Sequence, residues 1–436
     1  MRRILIVSPH FPPVNAPDMQ RARIALPELR RHGWDAVVLA VAPDCVEGAV
    51  LDPLLEQTYP PEIRVVRTRG LSPRLTRPLG FGSLWLRCGS ALRRAGEQLL
   101  AREKFDLVFF TTTQFDAFAL GPRWLRRFGV PYVLDYQDPW VNDYYRLRGV
   151  RPPGGRIRYW LSQYTARRRE PAAVLQAAAI VSVSSAYGPD LAARYPGMDA
   201  HRVRHIPFGA SPADLDVARR HRPERPLVPF GDGRVHFVYT GRCGADMAVS
   251  LRLLFRALKR HLERVPSDSD RMRFHFIGTD YAPPPLGRQW AMPVAEQEGV
   301  AACVSEHCQR VPYFDALHYL DRADALVVVG SDDPSYSASK IFPYLLARRP
   351  LLTIAHRNSL MLTLARSQGL ACSYGFDRAD DAATEELVEA IRRDWFEQEG
   401  WRRPPVTDTE ALAAHTAEGM TARLVEVFNQ AAAHRK

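Results

Sequence analysis

The segment that most constrains the fold is a strand–loop–helix–strand unit in the second half of the chain. An apolar run at residues 325–330 predicts a buried strand, a polar loop follows, and residues 350–354 predict a second, short strand. Between them, apolar side chains recur at helical spacing, at Ile341, Phe342, Leu345 and Leu346. Strands that alternate with helices in this way indicate a parallel α/β fold, which binds ligands at the carboxyl ends of its strands.

The loop of this unit carries a candidate anion site. Ser339 can cap the predicted helix, and Lys340 then lies in the first helical turn. A lysine at the positive end of a helix dipole costs about 0.3–1 kcal/mol, whereas an anion bound at the same end reverses the sign. Lys340 is therefore interpreted as a phosphate-binding residue, with a solvated lysine as the alternative.

Length and composition are those of a globular chain with two domains. The 436 residues are 46% hydrophobic and 25% charged, and no apolar run is long enough to cross a bilayer. The six cysteines form no CxxC pair, and Cys303, His307 and Cys308 match no usual zinc spacing, so we expect neither a disulfide framework nor a metal. The apolar run after Arg3 is too short for a signal peptide, so we expect a cytoplasmic protein.

The formal net charge of +11 admits nucleic acid, an anionic membrane surface or phosphorylated ligands as partners. No helix-turn-helix, zinc finger or aromatic nucleic-acid platform is evident, so we expect no nucleic-acid partner. Two predicted helices, at residues 83–102 and within residues 149–169, combine apolar and basic side chains and are candidates for contact with an anionic membrane. The alternative for each is a helix whose basic face is merely solvated.

Side chains suited to catalysis and phosphate binding follow two of the predicted strands. Asp138 comes just after the strand at residues 131–136, where a carboxylate suits acid–base work; a turn or helix cap is the alternative. Gly241 and Arg242 follow the strand at residues 235–240. The glycine lets a ligand approach the backbone, and the guanidinium can bind phosphate oxygens bidentately, with a surface salt bridge as the alternative.

Several segments resemble family-4 glycosyltransferases. The order "FPP", small-residue loop, "QR", helix, "GW" between Phe11 and Trp34 is similar to a subgroup of that family. The sequence Asp-Tyr-Gln-Asp-Pro-Trp that begins at Asp135 is similar to the Asp-x-x-Asp-Pro-Trp of many relatives. The Gly-Arg pair at Gly241 and the run Lys-Ile-Phe-Pro-Tyr-Leu from Lys340 resemble the segments with which the family holds the diphosphate of a sugar nucleotide.

The resemblance implies the GT-B architecture, an α/β fold of two Rossmann-like, doubly wound domains that face a cleft. Residues 1–217 are then the acceptor-binding domain and residues 235–408 the nucleotide-sugar domain. Residues 218–234, rich in Pro, Arg and Gly, are predicted as the linker. A terminal helix at residues 409–436 is expected to pack back on the first domain.

The resemblance also implies a hexosyltransferase for surface polysaccharide biosynthesis. It would move a sugar from a UDP- or GDP-linked donor to a glycan or polyprenyl-linked acceptor, with retention of configuration and without metal or other cofactor, at the inner face of the membrane. Positive charge must then stabilise the leaving diphosphate. The implied site residues are Gly241, Arg242, Ser339 and Lys340 for the diphosphate; Gly278 and Tyr313 for the nucleotide; Asp138 and His10 for catalysis; and Asn15, Gln20 and Arg21 for the acceptor-side loop.

The sequence departs from the family pattern at several positions, some of them in the segments that would bind the donor. Ser335 and Pro343 stand where relatives carry glutamates, and no lysine follows Arg242 until Lys259. These departures favour a second interpretation, a catalytically degenerate GT-B protein that binds a glycan or a partner. The retained Arg242, together with the lysine at position 340 and the aspartate at position 138, favours catalysis.

Overall fold

The computed structural model describes residues 1–76, 82–142, 155–280, 282, 286–333, 341–377, 381–405 and 412–433. The chain divides into two compact units. The first consists of Met1–Gly209 and Ala417–Lys436, and the second of Ala210–Thr416.

The first unit is built on a parallel sheet, which has seven strands in the described part of the chain. They are β1 (Arg2–Val7), β2 (Trp34–Val41), β3 (Arg64–Thr68), β4 (Leu107–Thr111), β5 (Tyr132–Tyr136), β6 (Ala179–Ser182) and β7 (Val203–His205). The helices are α1 (Gln20–Leu29), α2 (Pro73–Thr76), α3 (Leu84–Arg102), α4 (Leu120–Phe128), α5 (Arg156–Gln176) and α6 (Tyr187–Arg194). Single 3₁₀ turns lie at Pro17–Met19, Pro43–Cys45, Pro53–Thr58, Phe115–Ala119 and Ala200–Arg202.

Both faces of the first sheet are covered, which explains the continuous apolar runs of its strands. Alternate residues of β1 enter different cores: Leu5 and Val7 pack on the side of α3 and α4, and Ile4 and Ile6 on the side of α1. The apolar stripe of α3 is part of this core, so its membrane interpretation does not hold.

The strand order β3-β2-β1-β4-β5-β6-β7 reverses direction between β1 and β4. Val7 of β1 is in register with Leu39 of β2 on one side and Phe110 of β4 on the other. The loops that leave β1 and β4 therefore diverge at the carboxyl edge of the sheet, which is where open α/β sheets bind ligands.

The second unit is built on another parallel sheet, of order β10-β9-β8-β11-β12-β13 among its described residues. Its strands are β8 (Val235–Thr240), β9 (Met272–Ile277), β10 (Val304–His307), β11 (Ala325–Val329), β12 (Leu351–His356) and β13 (Ser373–Phe376). Here the order reverses between β8 and β11, so the loops that follow Thr240 and Val329 leave neighbouring strands at the carboxyl edge, where such sheets bind ligands.

The helices of the second unit are α7 (Pro212–Arg220), α8 (Ala248–Arg264), α9 (Asp268–Arg271), α10 (Ala291–Glu298), α11 (Tyr313–Arg322), α12 (Ile341–Ala347), α13 (Leu360–Ser367) and α14 (Asp381–Ile391). A π-helical turn at Arg392–Glu397 continues α14, and 3₁₀ turns lie at Ala245–Met247, Ala301–Cys303 and Gly400–Arg402.

The boundary between the units lies between Gly209 and Ala210, ahead of residue 217, where the sequence placed it. Helix α7 is the cause, because it packs against α11 and belongs to the second unit. The hydroxyl of Tyr313 donates to Asp214 Oδ2 at 2.7 Å, and Arg219 Nε donates to Asp321 Oδ1 at 3.0 Å. Residues 218–234, predicted as a linker, thus lie inside the second unit.

The last described helix, α15 (Ala417–Ala433), belongs to the first unit and packs against α1. Its Phe428 ring lies 5.9 Å from the ring of Trp34 and 4.9 Å from that of Phe109, measured between centroids. These contacts place the end of the chain on the face of the first sheet that α1 also covers.

Candidate active site

His10 and Asp18 form a pair at the carboxyl edge of the first sheet. Both residues lie in the loop between β1 and α1, and His10 Nδ1 lies 2.9 Å from Asp18 Oδ1 and 3.1 Å from Oδ2. A carboxylate only accepts hydrogen bonds, so we assign the proton to Nδ1 of the imidazole. The histidine side chain is 14% exposed and the aspartate side chain 3%.

The loop after β4 supplies the other partners of Asp18. Its Oδ2 accepts hydrogen bonds from Thr112 Oγ1 at 2.9 Å and from Thr113 N at 3.1 Å. Burial alone would raise the pKa of this carboxyl, but the bonds from His10, Thr113 and Thr112 outweigh it and lower the pKa. Asp18 is therefore an ionised, buried acceptor. It is not the helix cap that its position ahead of α1 suggests, because its side chain makes no capping bond.

Arg21 is an interior residue, which corrects its prediction as part of the acceptor-side loop. Its side chain is completely buried, Nε donates to Asp135 Oδ2 at 2.9 Å, and Nη2 donates to the carbonyl of Ile206 at 2.7 Å. A charge in a protein interior needs such partners, and they hold the guanidinium inside the first unit.

The other two residues predicted for that loop are partly exposed. The backbone N–H of Asn15 donates to the carbonyl of Val50 at 2.8 Å, which fixes the loop. Gln20 opens α1, and its side-chain oxygen accepts from Arg23 Nε at 3.1 Å. One helical step of about 100° separates Gln20 from the residue at position 21 and turns the two side chains to different sides.

Asp138 borders a pocket of about 490 Å³ within the first unit. The pocket wall includes Thr113, Trp140, Asn142 and Gln163, so it offers hydroxyl, amide and aromatic groups. Asp138 itself is exposed at this edge. Partial loss of hydration raises its pKa, and the negative charge of nearby Asp18 raises it further.

Helix α5 holds the chain that carries Asp138. Glu170 is completely buried and accepts from Tyr136 Oη at 3.1 Å, from Arg194 Nη1 at 3.2 Å and from Val141 N at 3.3 Å. Gln163 Oε1 accepts from Asn142 N at 2.9 Å. The floor of the pocket is therefore fixed by buried hydrogen bonds to α5.

In the second unit, Gly241 and Arg242 follow β8 as predicted from the sequence. Gly241 has a φ of +131°, which favours glycine, and its N–H donates to the carbonyl of Ile277 at 2.9 Å. Arg242 Nη1 and Nη2 donate to the two carboxylate oxygens of Asp246 at 2.9 and 2.8 Å. A Cβ on Gly244 would lie 2.4 Å from both side chains, so this bidentate pair depends on the glycine.

The segments after β8 and β11 meet next to this pair. Asp332 N donates to the carbonyl of Asp246 at 2.8 Å. From α12, the hydroxyl of Tyr344 donates to the carbonyl of Thr240 at 2.9 Å and accepts from its N–H at 2.7 Å. The end of β8 that precedes Gly241 is thus anchored by the helix that follows the predicted donor loop.

The remaining predicted donor residues have different placements. Gly278 follows β9 with a φ of +72°. Tyr313 opens α11 and binds Asp214 through its hydroxyl. Ser339 and Lys340, with Ser335, lie outside the described residues.

Within the described ranges, no group of three or more His, Cys, Asp or Glu side chains is placed to hold a metal ion. All six cysteines are buried as free thiols. None of the described helices has both the length and the apolar character that a bilayer crossing requires.

The comparisons with known proteins agree with this geometry. Residues 20–209 match the model of the glycosyl transferase 4-like domain. This match confirms the resemblance to family-4 glycosyltransferases. No curated protein matches the chain.

Solved structures of the same fold include Anabaena HepE in complex with UDP and glucose, 16% identical, with a TM-score of 0.54 over 98% of this chain and 100% of that chain. A glycosyltransferase from Rickettsia africae is 12% identical, with a TM-score of 0.55 over 99% and 98%. A UDP-forming trehalose-phosphate synthase from Burkholderia xenovorans is 15% identical, with a TM-score of 0.54 over 98% and 99%. The fold is GT-B, with two Rossmann-like domains, as the sequence predicted.

Two partners were missed by sequence reasoning: Asp18 for His10 and Asp246 for Arg242. The eight-residue spacing of the first pair belongs to no periodic element, and the intervening loop alone brings the side chains together. The second pair has the i, i+4 spacing of helical ion pairs, which was a usable signal for the salt bridge kept open as an alternative.

Proposed function

We propose that this protein is a glycosyltransferase that moves a hexose from a nucleotide-diphosphate sugar to a glycan or lipid-linked acceptor. The observation that carries the proposal is the cluster at the carboxyl edge of the first sheet. There Asp138 borders a polar pocket and lies near Asp18, the carboxylate that binds His10, in a unit whose residues 20–209 match the glycosyl transferase 4-like domain.

The donor is proposed to bind in the second unit, at the reversal between β8 and β11. Gly241 exposes backbone there, and the guanidinium of Arg242 presents two N–H groups to an anion once Asp246 yields them. Lys340 is the second proposed cation. The complex of HepE with UDP and glucose, on the same fold, supports UDP as the first nucleotide to test, with GDP as the second.

The catalysis is proposed to need no metal ion and to retain the configuration of the sugar. Two cations, Arg242 and Lys340, would supply the positive charge that the leaving diphosphate requires. Retention rests on the resemblance to family-4 enzymes. It is checked by the anomeric configuration of the product sugar, and an inverted product would remove this part of the proposal.

The acceptor is proposed to bind in the pocket beside Asp138. Amide and hydroxyl groups of Asn142, Gln163 and Thr113 are suited to sugar hydroxyls. Asp138 would orient the hydroxyl that reacts.

A membrane surface is proposed as the place of this reaction, because the outer face of α5 is apolar. Ile157, Trp160, Leu161 and Tyr164 recur at helical spacing and are 79, 62, 51 and 43% exposed. Exposed arginines at positions 156, 167 and 168 lie on the same helix. Such a combination suits the interface of an anionic bilayer, and it fits a lipid-linked acceptor in surface polysaccharide synthesis.

Calorimetric titration with UDP and with GDP tests the proposed function. We expect one of them to bind, and Arg242→Ala and Lys340→Ala each to weaken binding, by about 1.5–3 kcal/mol for a full charge-assisted contact. The absence of binding to either nucleotide, in protein shown to be folded by circular dichroism, would favour a degenerate GT-B protein that binds a glycan or partner.

A further inference from the structure

Helix α5 separates the polar pocket from an exposed apolar surface, the outer stripe, which consists of Ile157, Trp160, Leu161, Tyr164 and Leu175. We propose that the outer stripe lies on an anionic bilayer and that the acceptor is a lipid of that bilayer which carries only one or two sugars. The inference rests on the proposed function and narrows it, because it excludes free glycans and the ends of long polymers as acceptors.

The outer stripe runs from the first turn of α5 to its last. Leu175, which is 41% exposed, continues the line of the four exposed side chains in the first half of the helix. Trp160 and Tyr164 stack with their ring centroids 5.6 Å apart, and the Arg168 guanidinium lies 4.5 Å from the Tyr164 ring. Tryptophan and tyrosine are enriched at the level of lipid headgroups. A helix with such a stripe along its whole length is suited to lie flat in a membrane interface.

The charges of α5 favour an anionic bilayer over a second copy of this chain. The helix has one acidic residue, Glu170, and that side chain is completely buried. Arginines at positions 156, 167 and 168 are exposed, so the described outer surface of α5 carries positive charge only. A symmetric contact between two copies would bring like charges together, whereas anionic headgroups neutralise them.

The opposite side of α5 belongs to the pocket. Tyr159, Ser162 and Gln163 line it, and at about 100° per residue they lie on nearly the opposite side of the helix from the outer stripe. Ser162 and Asp138 are both exposed, so the pocket opens to solvent beside the helix. The thickness of one helix, about 10–12 Å, therefore separates the pocket from the proposed bilayer.

This short distance limits the acceptor. An interfacial helix sinks about 5–10 Å into the boundary between headgroups and acyl chains, so the pocket lies at the level of the headgroups or just above them. A lipid with one or two sugars reaches that level, whereas the end of a long glycan extends beyond it. The pocket volume of about 490 Å³ is in the lower part of the range for small-molecule sites and suits a short saccharide. A reaction that attaches the first sugar to a membrane lipid must supply this substrate.

The first test measures position relative to the bilayer and needs no sugar substrate. Leu161→Cys, Ser162→Cys and Gln430→Cys are each labelled with a nitroxide, and the wild type should take up no label because its six cysteines are buried. Electron paramagnetic resonance then records relaxation by oxygen and by a gadolinium-chelating lipid, on vesicles of phosphatidylglycerol and phosphatidylcholine. We expect the lipid to relax the labels at 161 and 162, and oxygen to relax the label at 161 more strongly than the label at 162.

Gln430 is the matched control, because it is exposed on α15, which covers the other face of the first sheet. Its label should stay in water. Labels at 161 or 162 that behave like the label at 430 overturn the proposal. Spin–spin coupling between labels at 161 without vesicles would also overturn it, because a second copy of the chain would then cover the outer stripe.

The second test compares acceptors, with the nucleotide sugar that the titration selects as donor. Glucose, galactose and N-acetylglucosamine are offered as methyl glycosides, as monosaccharides linked through diphosphate to phytanol in the same vesicles, and as tetrasaccharides on the same lipid. We expect release of nucleoside diphosphate to be about tenfold faster or more with a lipid-linked monosaccharide, because the vesicle concentrates enzyme and acceptor at one surface. Equal or faster release with the other two forms, or no acceptor-dependent release with any lipid-linked sugar, overturns the proposal.

The two tests distinguish this inference from the proposed function. If UDP or GDP binds while the label at 161 stays in water, the inference fails and the proposed function stands. If neither nucleotide binds while the labels have the expected positions, the proposed function fails, and the acceptor assignment fails with it.

Discussion

The ion pair between Arg242 and Asp246 makes a prediction about nucleotide affinity. Both terminal nitrogens of the arginine already donate to the carboxylate, at 2.9 and 2.8 Å, and the two side chains are 28 and 30% exposed. These nitrogens are the ones that would bind a diphosphate bidentately. Asp246 therefore competes with the ligand, and Asp246→Asn should tighten binding of UDP or GDP.

The size of the effect follows from the exposure of the pair. An ion pair at such a site is worth up to about 1 kcal/mol, and bidentate geometry puts this one near the upper limit. Its loss tightens the Kd about fivefold, because about 1.4 kcal/mol corresponds to a factor of ten. Because of the same competition, Arg242→Ala should weaken nucleotide binding by about 0.5–2 kcal/mol, and not by the about 1.5–3 kcal/mol of a full charge-assisted contact.

A double-mutant cycle measured by calorimetry tests this reasoning. We expect Asp246→Asn to tighten the Kd in the wild-type background and to have little effect in the Arg242→Ala background. Asp216→Asn is the control, because it removes the partner of Arg219 at 3.2 Å on α7 and changes the net charge equally. Weaker binding by Asp246→Asn would refute the competition and show that the carboxylate orients the guanidinium for the ligand.

Two further predictions concern stability and membrane contact. Burial, with the nearby His236 and Arg273, lowers the pKa of His275 from 6.5 to about 4. As the pH falls, the unfolded chain therefore binds a proton before the folded chain does. The free energy of unfolding should decrease by about 3 kcal/mol as the pH falls from 6.5 to 4. In denaturant titrations from pH 7.5 to 4.5, His275→Gln should lose less free energy of unfolding than the wild type. An equal loss in both proteins would contradict this prediction. Ile157→Ser with Leu161→Ser should lower co-sedimentation with anionic vesicles about tenfold or more, whereas Leu286→Ser, 72% exposed in the second unit, should not. Equal losses would remove the proposed membrane face.

Much of the fold could be predicted because buried parallel strands are continuous apolar runs. The strands β1, β2 and β11 each follow this pattern, and the helices between them show helical spacing. The edge strand β10 escaped prediction, because Ser305, Glu306 and His307 make it polar. The position of the boundary between the units was missed because α7 joins the second unit through side-chain contacts, which no local pattern encodes.

The site was less predictable than the fold. Strand ends identified Asp138 and Arg242, because the carboxyl edge of a parallel sheet is fixed by topology. The partners of such residues depend on loop conformation, which hydrophobic periodicity does not describe. Asp18 shows the limit: a residue just ahead of a helix is most simply predicted as its cap, and only the folded loop reveals that it binds His10 instead.

The motif from Asp135 to Trp140 shows why a short sequence match can mark a site even though only one of its two carboxylates reaches solvent. Asp135 is completely buried, and its Oδ2 accepts from Arg21, Thr111 and Gln137. Gln137 Nε2 also donates to the backbone carbonyl of Asp18, so the buried part of the motif supports the loop that carries the histidine partner. Asp138 points outward because the strand has ended and the backbone turns there. The inward residues of the motif therefore hold the carboxyl edge of the first sheet in place, and the outward aspartate lines the polar pocket.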